Sequence, residues 1–334
     1  MINPWIQFFV CAVLIVFAGS KLTRNAAIIS ENTGIGSAWI GALLLPLATS
    51  LPELVTTLSA VAINTPDLAL GNIMGSCLFN LALLAVIDLA SGKGPLTSTI
   101  SQGHIITASL SVLAVCFLML ALLGFVYLPI GWVGLETLLI ALLYIIGSRL
   151  IFCYDQRNPV LAKGSEEIYK ACNFVSTKRA LINFLLAAGL IVITGVLITS
   201  AADRIALSTG LGHTLVGSLL LAISTSLPET VTTLSAVRLG YVDMAVANVF
   251  GANFMNMLVV FIADLFYRQA PLLHVASGNH LASATMVIII SIIVIFGIIY
   301  KSEKKLGHIG YDMVLVLAGY FTAAYLLFRS GGTL

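Results

Sequence analysis

Charge is what this sequence has least of. Asp, Glu, Lys and Arg make up 9% of the 334 residues, against 59% hydrophobic residues and a mean hydropathy of +1.07. Soluble domains carry about 25% charged residues, so a water-soluble enzyme or binding module is excluded. The net charge of +2 points to no polyanion, and no nucleic-acid partner is expected. Cysteine is sparse and odd in number: Cys11, Cys77, Cys116, Cys153 and Cys172, with no CxxC and no histidine at metal spacing. That excludes a zinc site or disulfide framework and leaves the cysteines as small buried hydrophobes. The period-2 alternation of a membrane barrel is missing. The Gly-rich steps lack a following Lys-Ser/Thr, so they are not phosphate loops. The first apolar run has no basic flank and reads as a span, not a cleaved signal.

What the chain does have is apolar runs of bilayer length, about 20 residues each. Ten are read, at 4–22, 37–62, 68–90, 104–127, 131–150, 181–202, 213–238, 244–267, 281–300 and 310–328. The fold class is therefore an all-α integral membrane protein. Threading the chain through ten spans puts thirteen of the sixteen Lys and Arg on one side, with only Arg204, Arg268 and Arg329 on the other. By the positive-inside rule the crowded side is cytoplasmic. Both termini are then external, the 151–180 linker is cytoplasmic, and the expected home is the plasma or inner membrane.

The ten spans are five written twice. A constant offset of 176 residues superposes the halves without a gap. Thr49-Ser50-Leu51-Pro52-Glu53 returns as Thr225-Ser226-Leu227-Pro228-Glu229, and Asp67, Asn72, Gly75, Asn80 and Asp88 return as Asp243, Asn248, Gly251, Asn256 and Asp264. His104 pairs with His280 and Gly131 with Gly307. An odd number of spans per copy forces the second to enter from the opposite side, which gives inverted repeats of the kind secondary transporters use. The expected division is a first repeat over 1–150, a linker over 151–180 and a second repeat over 181–334.

A carboxylate inside a membrane span is costly and is read first as functional. Glu53 and Glu229 are two at equivalent places. Pro52 and Pro228 have no N–H, so the carbonyls of Ala48 and Ser224 lose their helical partners and need others. Ser50, Glu53 and the loosened carbonyls, with their repeat mates, are hard oxygen donors of the type Ca2+ and Na+ prefer. Asn72, Ser76 and Asn80 stack on one face of the third span, and Gly71, Gly75 and Gly251 allow close helix approach. No Lys or Arg lies beside these groups, so the pocket would select cations. Blander readings stand beside this one. Asn72 and Asn248 also suit interhelical hydrogen bonding, Asp67 and Asp243 suit N-capping, and Asp88, Asp264, His104 and His280 suit the membrane interface. An intramembrane hydrolase using the two glutamates as an acid–base dyad and a passive cation channel are the alternatives from other classes. The chain around Glu53 and Glu229 offers no water-activating pattern for the former.

The duplicated T-S-L-P-E, each followed by G-N and a later Asn, resembles the alpha repeats of the sodium/calcium exchanger branch of the calcium:cation antiporter superfamily. The likeness covers nearly the whole chain, with alpha motifs at 41–90 and 217–266. It implies exchange of Ca2+ for Na+ by alternating access in a single chain, with the long first and sixth helices sliding against the rest. The two ions are substrates in the lipid bilayer, with no prosthetic group. Position by position, it implies a Ca2+ site from Glu53, Glu229 and the carbonyls of Thr49 and Thr225. It implies Na+ ligation by Ser50, Ser226 and Ser76, with Asn80 and Asn256 lining the middle. Gly75-Ser76 becomes Gly251-Ala252 in the second copy, which removes one hydroxyl and keeps H+ or K+ coupling open as the alternative within this fold. Pro46, matched by Ala222, is a second asymmetry.

Overall fold

The computed structural model describes residues 3–92, 94–125, 128–158, 174–208 and 224–331, most of them helical. The first span is Pro4–Thr33, the second is broken into Ser37–Thr49 and Leu51–Ala62, and the third is Pro66–Ser91. His104–Leu122 is the fourth, Leu135–Arg157 the fifth and Thr177–Ser208 the sixth. The described part of the seventh is Leu227–Arg238 with helical Ser224 and Thr225 before it, and its expected beginning at 213 lies outside the described residues. Val242–Phe266, His280–Tyr300 and Tyr311–Gly331 are the eighth, ninth and tenth. The protein is an all-α membrane protein of ten spans in two inverted repeats.

Boundaries depart from the sequence reading where a breaker was overlooked. Nothing interrupts the helix after residue 22, so the first span runs on to Thr33 and ends on Gly34 at φ 71°. Lys21 and Arg24 therefore sit on a helix, not in a loop. Apolar content carried the fourth-span reading to 127, but Gly124 at φ 70° follows a helix end at Leu122. The fifth span begins at Leu135, not 131, because Pro129–Ile130 and Val133–Gly134 pair as a hairpin around Gly131 at φ 69°. Lys305–Leu306 and Ile309–Gly310 repeat that hairpin around Gly307 at φ 65°. A positive φ at the first central residue is the glycine position of a tight hairpin turn. At both ends of the linker the helices extend inward, to Arg157 and from Thr177, and residues 159–173 lie outside the described residues.

The repeats are fastened to each other by aspartates. Asp88 accepts from the Leu96 N–H at 2.6 Å and from Gly310, in the other repeat, at 2.7 Å. Its mate Asp264 accepts from Leu272 at 2.6 Å and from Gly134, again across the repeats, at 2.9 Å. Both are fully buried near the ends of their helices and hold the hairpins. Asp243 accepts from the Ser101 N–H and shares a 2.8 Å contact with His104 Nε2. Asp67 accepts likewise from Ser277, with His280 Nε2 at 3.2 Å. These aspartates tie down loops of the opposite repeat and do not cap their own helices, whose caps are Thr65 and Tyr241. His104 is buried in this pairing.

The third and eighth spans form the buried centre, clasped by the second, seventh, fourth, fifth, ninth and tenth. The first and sixth pack mainly on each other along the outside. They touch the broken helices through glycines: a Cβ on Gly19 would meet Val231 Cγ1 at 2.7 Å, and one on Gly195 would meet Pro52 Cγ at 2.4 Å.

Candidate functional site: an oxygen-lined centre between the repeats

The second span breaks where the sequence offers no N–H. Its two halves meet at 44° around Ser50, which has φ −86° and ψ 4° and is the cap residue of both helices. Pro52 cannot donate to the Ala48 carbonyl, and the gap at Ser50 leaves the Thr49 carbonyl without the next turn's N–H. Ser226 has the same backbone, φ −91° and ψ 8°, ahead of Pro228. Glu53 and Glu229 thus stand in the first turn of a new helix, where the partial positive charge of the helix start favours a carboxylate. Pro46 acts one turn earlier. It cannot serve the Ala42 carbonyl, and the backbone there forms a π-helical turn over Ile40–Leu44. Gly251 fits against that turn so closely that a Cβ would lie 2.1 Å from the Ala42 oxygen. Pro46 and Gly251 together bring the second span against the eighth. Gly71 and Gly75, read as equivalent contact points, have no such close neighbour among the described residues.

Glu53, Glu229, Thr49, Ser50, Ser76, Asn80, Asn256, Thr225 and Ser226 are all buried between the repeats. Ser50 Oγ donates to Glu229 Oε1 at 3.2 Å, which joins the two broken helices directly. Asn80 Nδ2 donates to Asn253 Oδ1 at 3.1 Å, and Asn256 Nδ2 approaches Cys77 Sγ at 3.7 Å. The buried Ser76 side chain makes no hydrogen bond among the described residues. Asn72 and Asn248 do something else: their amides donate to Thr57 at 3.2 Å and Thr233 at 2.9 Å, tying the second span to the third and the seventh to the eighth. That is the interhelical bonding the sequence allowed for.

Two residues of the centre were not anticipated. Asn253 Nδ2 donates to the Cys77 carbonyl at 3.2 Å while its oxygen takes the Asn80 amide, so it bridges the third and eighth spans at the repeat axis. Cys77, taken for a plain apolar residue, points its sulfur at Asn256. The signal was present in the repeat itself, because the 176-residue offset pairs Cys77 with Asn253. A cysteine aligned with a buried asparagine marks a polar position.

What remains unsatisfied defines the chemistry. Glu53 Oε2, Glu229 Oε2, Asn80 Oδ1, Asn256 Oδ1 and Ser226 Oγ are buried oxygens with no hydrogen-bond partner among the described residues. Native interiors leave few polar atoms in this state. Glu136 and Asp155 also leave an oxygen unpartnered, at opposite ends of the fifth span, with Asp155 beside Gly36 at the entry to the second span and not at its Ser50 break; Ser37 and Asn248 each leave one as well. Oxygens contributed by both repeats, two of them from carboxylates, with no cationic side chain among them, suit a hard cation and repel an anion.

Comparison with known proteins agrees with this construction. The chain matches the family model described as sodium/calcium exchanger protein over residues 3–152 and 179–329. It is 25% identical over 331 residues to the sodium/calcium exchanger MaX1 of Methanosarcina acetivorans, covering 88% of this chain and 90% of that one. The uncharacterized membrane protein MJ0091 of Methanocaldococcus jannaschii is 25% identical over 321 residues, 95% of this chain and 96% of that one. A solved structure of the sodium-calcium exchanger NCX_Mj superposes with a TM-score of 0.73 at 21% identity, covering 97% and 98% of the two chains. Inverted five-helix repeats, duplicated proline-broken spans and a family match over both halves lead to one conclusion: the chain belongs to the sodium/calcium exchanger protein family, a family of membrane cation antiporters.

Proposed function

We propose that this protein exchanges Ca2+ for Na+ across the membrane by alternating access. The observation that carries the reading is the set of unpartnered buried oxygens from Glu53, Glu229, Asn80, Asn256 and Ser226. Five such groups at one place are costly unless a cation takes their lone pairs. In this reading Glu53 and Glu229 hold Ca2+ together with the Thr49 and Thr225 carbonyls. Ser50, Ser226 and Ser76 serve Na+, and Asn80 and Asn256 line the middle. Two carboxylates balance one Ca2+ or a pair of Na+, so occupancy by one ion expels the other. The name of the Methanosarcina relative supports the same pair of ions. The protein works as a single chain and needs no prosthetic group. It catalyses no covalent step.

Orientation follows from the basic residues. The side bearing Arg157, Lys178, Arg179, Arg238 and Lys301 faces the cytoplasm of a plasma or inner membrane, with both termini outside. In a cysteine-free background, Ser302→Cys is expected to react with an impermeant thiol reagent only from inside, and Phe125→Cys only from outside. The reverse pattern refutes the orientation.

The deciding experiment is radiolabelled Ca2+ uptake into proteoliposomes under imposed Na+, K+ or H+ gradients. A Na+ gradient should drive uphill uptake. The missing hydroxyl at Ala252 favours one rival, proton coupling, and uptake driven by a pH gradient but not by Na+ would put it in place of the sodium reading. Downhill flux indifferent to every gradient would mean a channel.

A further inference from the structure

A second place in the molecule is shaped to hold a ligand, far from the ion centre. A groove of about 480 Å3 runs between the first and sixth spans and opens outward, which is within the ~300–1,000 Å3 range of small-molecule sites. One end is apolar, with Phe17, Ala187 and Leu190. The other carries Lys21, Arg24 and Asn183. Among the described residues no acidic side chain lines it.

The depth of these groups matters. Pro4–Thr33 is a 30-residue helix, longer than the ~20 residues that cross the hydrocarbon. Arg24 opens its last third and Lys21 lies one turn earlier, toward the end of the helix pair where the sixth span starts with Lys178 and Arg179. The Lys21 ammonium lies 5.6 Å from the Phe17 ring centroid, a cation–π contact where the basic part of the groove meets the apolar part. The groove is therefore basic and polar at headgroup depth and apolar below it.

The repeat symmetry shows that this opening is particular to one end. At the pseudo-equivalent end of the same helix pair, Gln7 Nε2 donates to the Leu197 carbonyl at 2.9 Å and its oxygen accepts from Arg204, closing the seam. The mate of Gln7 is Asn183, one methylene shorter, and it makes no such bridge among the described residues. The mate of Leu197 is Lys21. The duplication has kept the helix pair and exchanged a closed seam for an open basic groove.

We propose that this groove binds an anionic phospholipid, its phosphate between Lys21 and Arg24 and one acyl chain along Phe17, Ala187 and Leu190. The proposal does not depend on which ion is transported. In the orientation given above, the lipid belongs to the cytoplasmic leaflet, where basic residues between spans meet anionic headgroups.

The test is native mass spectrometry of the full chain in detergent with added phosphatidylglycerol or phosphatidylcholine. One phosphatidylglycerol should be retained in preference to phosphatidylcholine. Replacing both cations in Lys21→Gln/Arg24→Gln should weaken that retention roughly tenfold to thirtyfold, the worth of two basic residues near anionic lipid. Lys301→Gln/Lys304→Gln, on a loop outside the groove, should leave it unchanged. Ala187→Phe, which fills the apolar part and keeps both cations, should also weaken it, and this second variant covers the case in which the double variant does not fold. Equal retention of the two lipids, or retention of phosphatidylglycerol undiminished in both groove variants, overturns the proposal. Displacement of the lipid by millimolar inorganic phosphate would make the groove a free-anion site and overturn it as well.

Discussion

Asp88 and Asp264 at the rim and Glu53 and Glu229 at the centre are the same kind of residue by every crude measure. All four are buried carboxylates in a membrane helix, and each has a repeat mate of identical type. They differ in their partners. Asp88 takes two backbone N–H groups, and Asp264 takes two together with the Thr137 hydroxyl. Each glutamate leaves one oxygen with nothing. Burial and duplication thus do not separate a structural acid from a functional one. Unspent bonding capacity shared by both repeat mates does, because a buried charge persists without protein partners only where something else supplies them. Glu136 and Asp155 each leave an oxygen unpartnered too, but their mates Asp312 and Gly331 do not.

The sharpest way to break this comparison is to neutralise each class and read transport and stability separately. Glu53→Gln or Glu229→Gln should lower Ca2+ transport about a hundredfold or more, as removing one member of a buried charge pair does. Thermal stability without Ca2+ should hold or rise, since an uncompensated charge has gone. Near-parental flux in either variant would make that glutamate structural.

Asp88→Asn and Asp264→Asn should invert the pattern. An amide NH2 cannot accept from Leu96 or Gly310, so one buried donor in each variant loses its partner at about 2–3 kcal/mol, the upper range for bonds to a charged group. Apparent melting temperature should fall, while the Ca2+ concentration giving half-maximal uptake stays where it was in the protein that survives. A shift in that concentration with no loss of stability would place the rim acids in the ion path.

Two glycines sharpen a related contrast, between the outer helix pair and the centre it covers. Gly195 faces the Pro52 ring, which cannot rotate away, whereas Gly19 faces a valine methyl that can. Gly195→Ala should cost about 1–3 kcal/mol by overpacking and Gly19→Ala less, both read from thermal unfolding. Equal costs would mean that the helices separate freely at both contacts.

How much of this was legible in the sequence depends on distance along the chain. The spans, their duplication and the proline breaks were readable because each rests on local composition or on a fixed offset. The two breaks face each other for the same reason, since the pseudo-twofold axis that relates Ser50 to Ser226 and Glu53 to Glu229 sets Ser50 against Glu229. The hairpins at Pro129–Gly134 and Lys305–Gly310 were lost inside apolar runs, although Gly131 and Gly307 stood in register. What the rim aspartates bind was not legible because their partners lie far off in sequence, as Asp88 and Gly310 do, and are backbone groups with no side-chain signature. Asn253 has Cys77 as its mate, so agreement between the repeats does not mark it.

Disagreement between the repeats gives the smallest and most specific prediction. Ser76 and Ala252 occupy equivalent positions on the third and eighth spans, both buried, and only the first brings a hydroxyl. In Ala252→Ser the new hydroxyl need not be buried unsatisfied. Helical Ser and Thr in this chain repeatedly donate to the carbonyl four residues back, as Ser20 does to Val16 at 2.8 Å and Thr49 to Leu45 at 3.2 Å. A serine at this position can donate to Asn248 in the same way and keep a lone pair for an ion. In the proposed reading one neutral oxygen matters more to Na+ than to Ca2+, which the two carboxylates would chiefly hold. Na+ competition should therefore strengthen by about 1 kcal/mol, roughly fivefold, with Ca2+ affinity nearly constant. Na+ inhibition of Ca2+ uptake in matched liposomes reads the difference. If parent and variant are equally insensitive to Na+ while both respond to a pH gradient, the asymmetry between Ser76 and Ala252 belongs to a proton-coupled exchanger, and the serine adds nothing because no Na+ is there to use it.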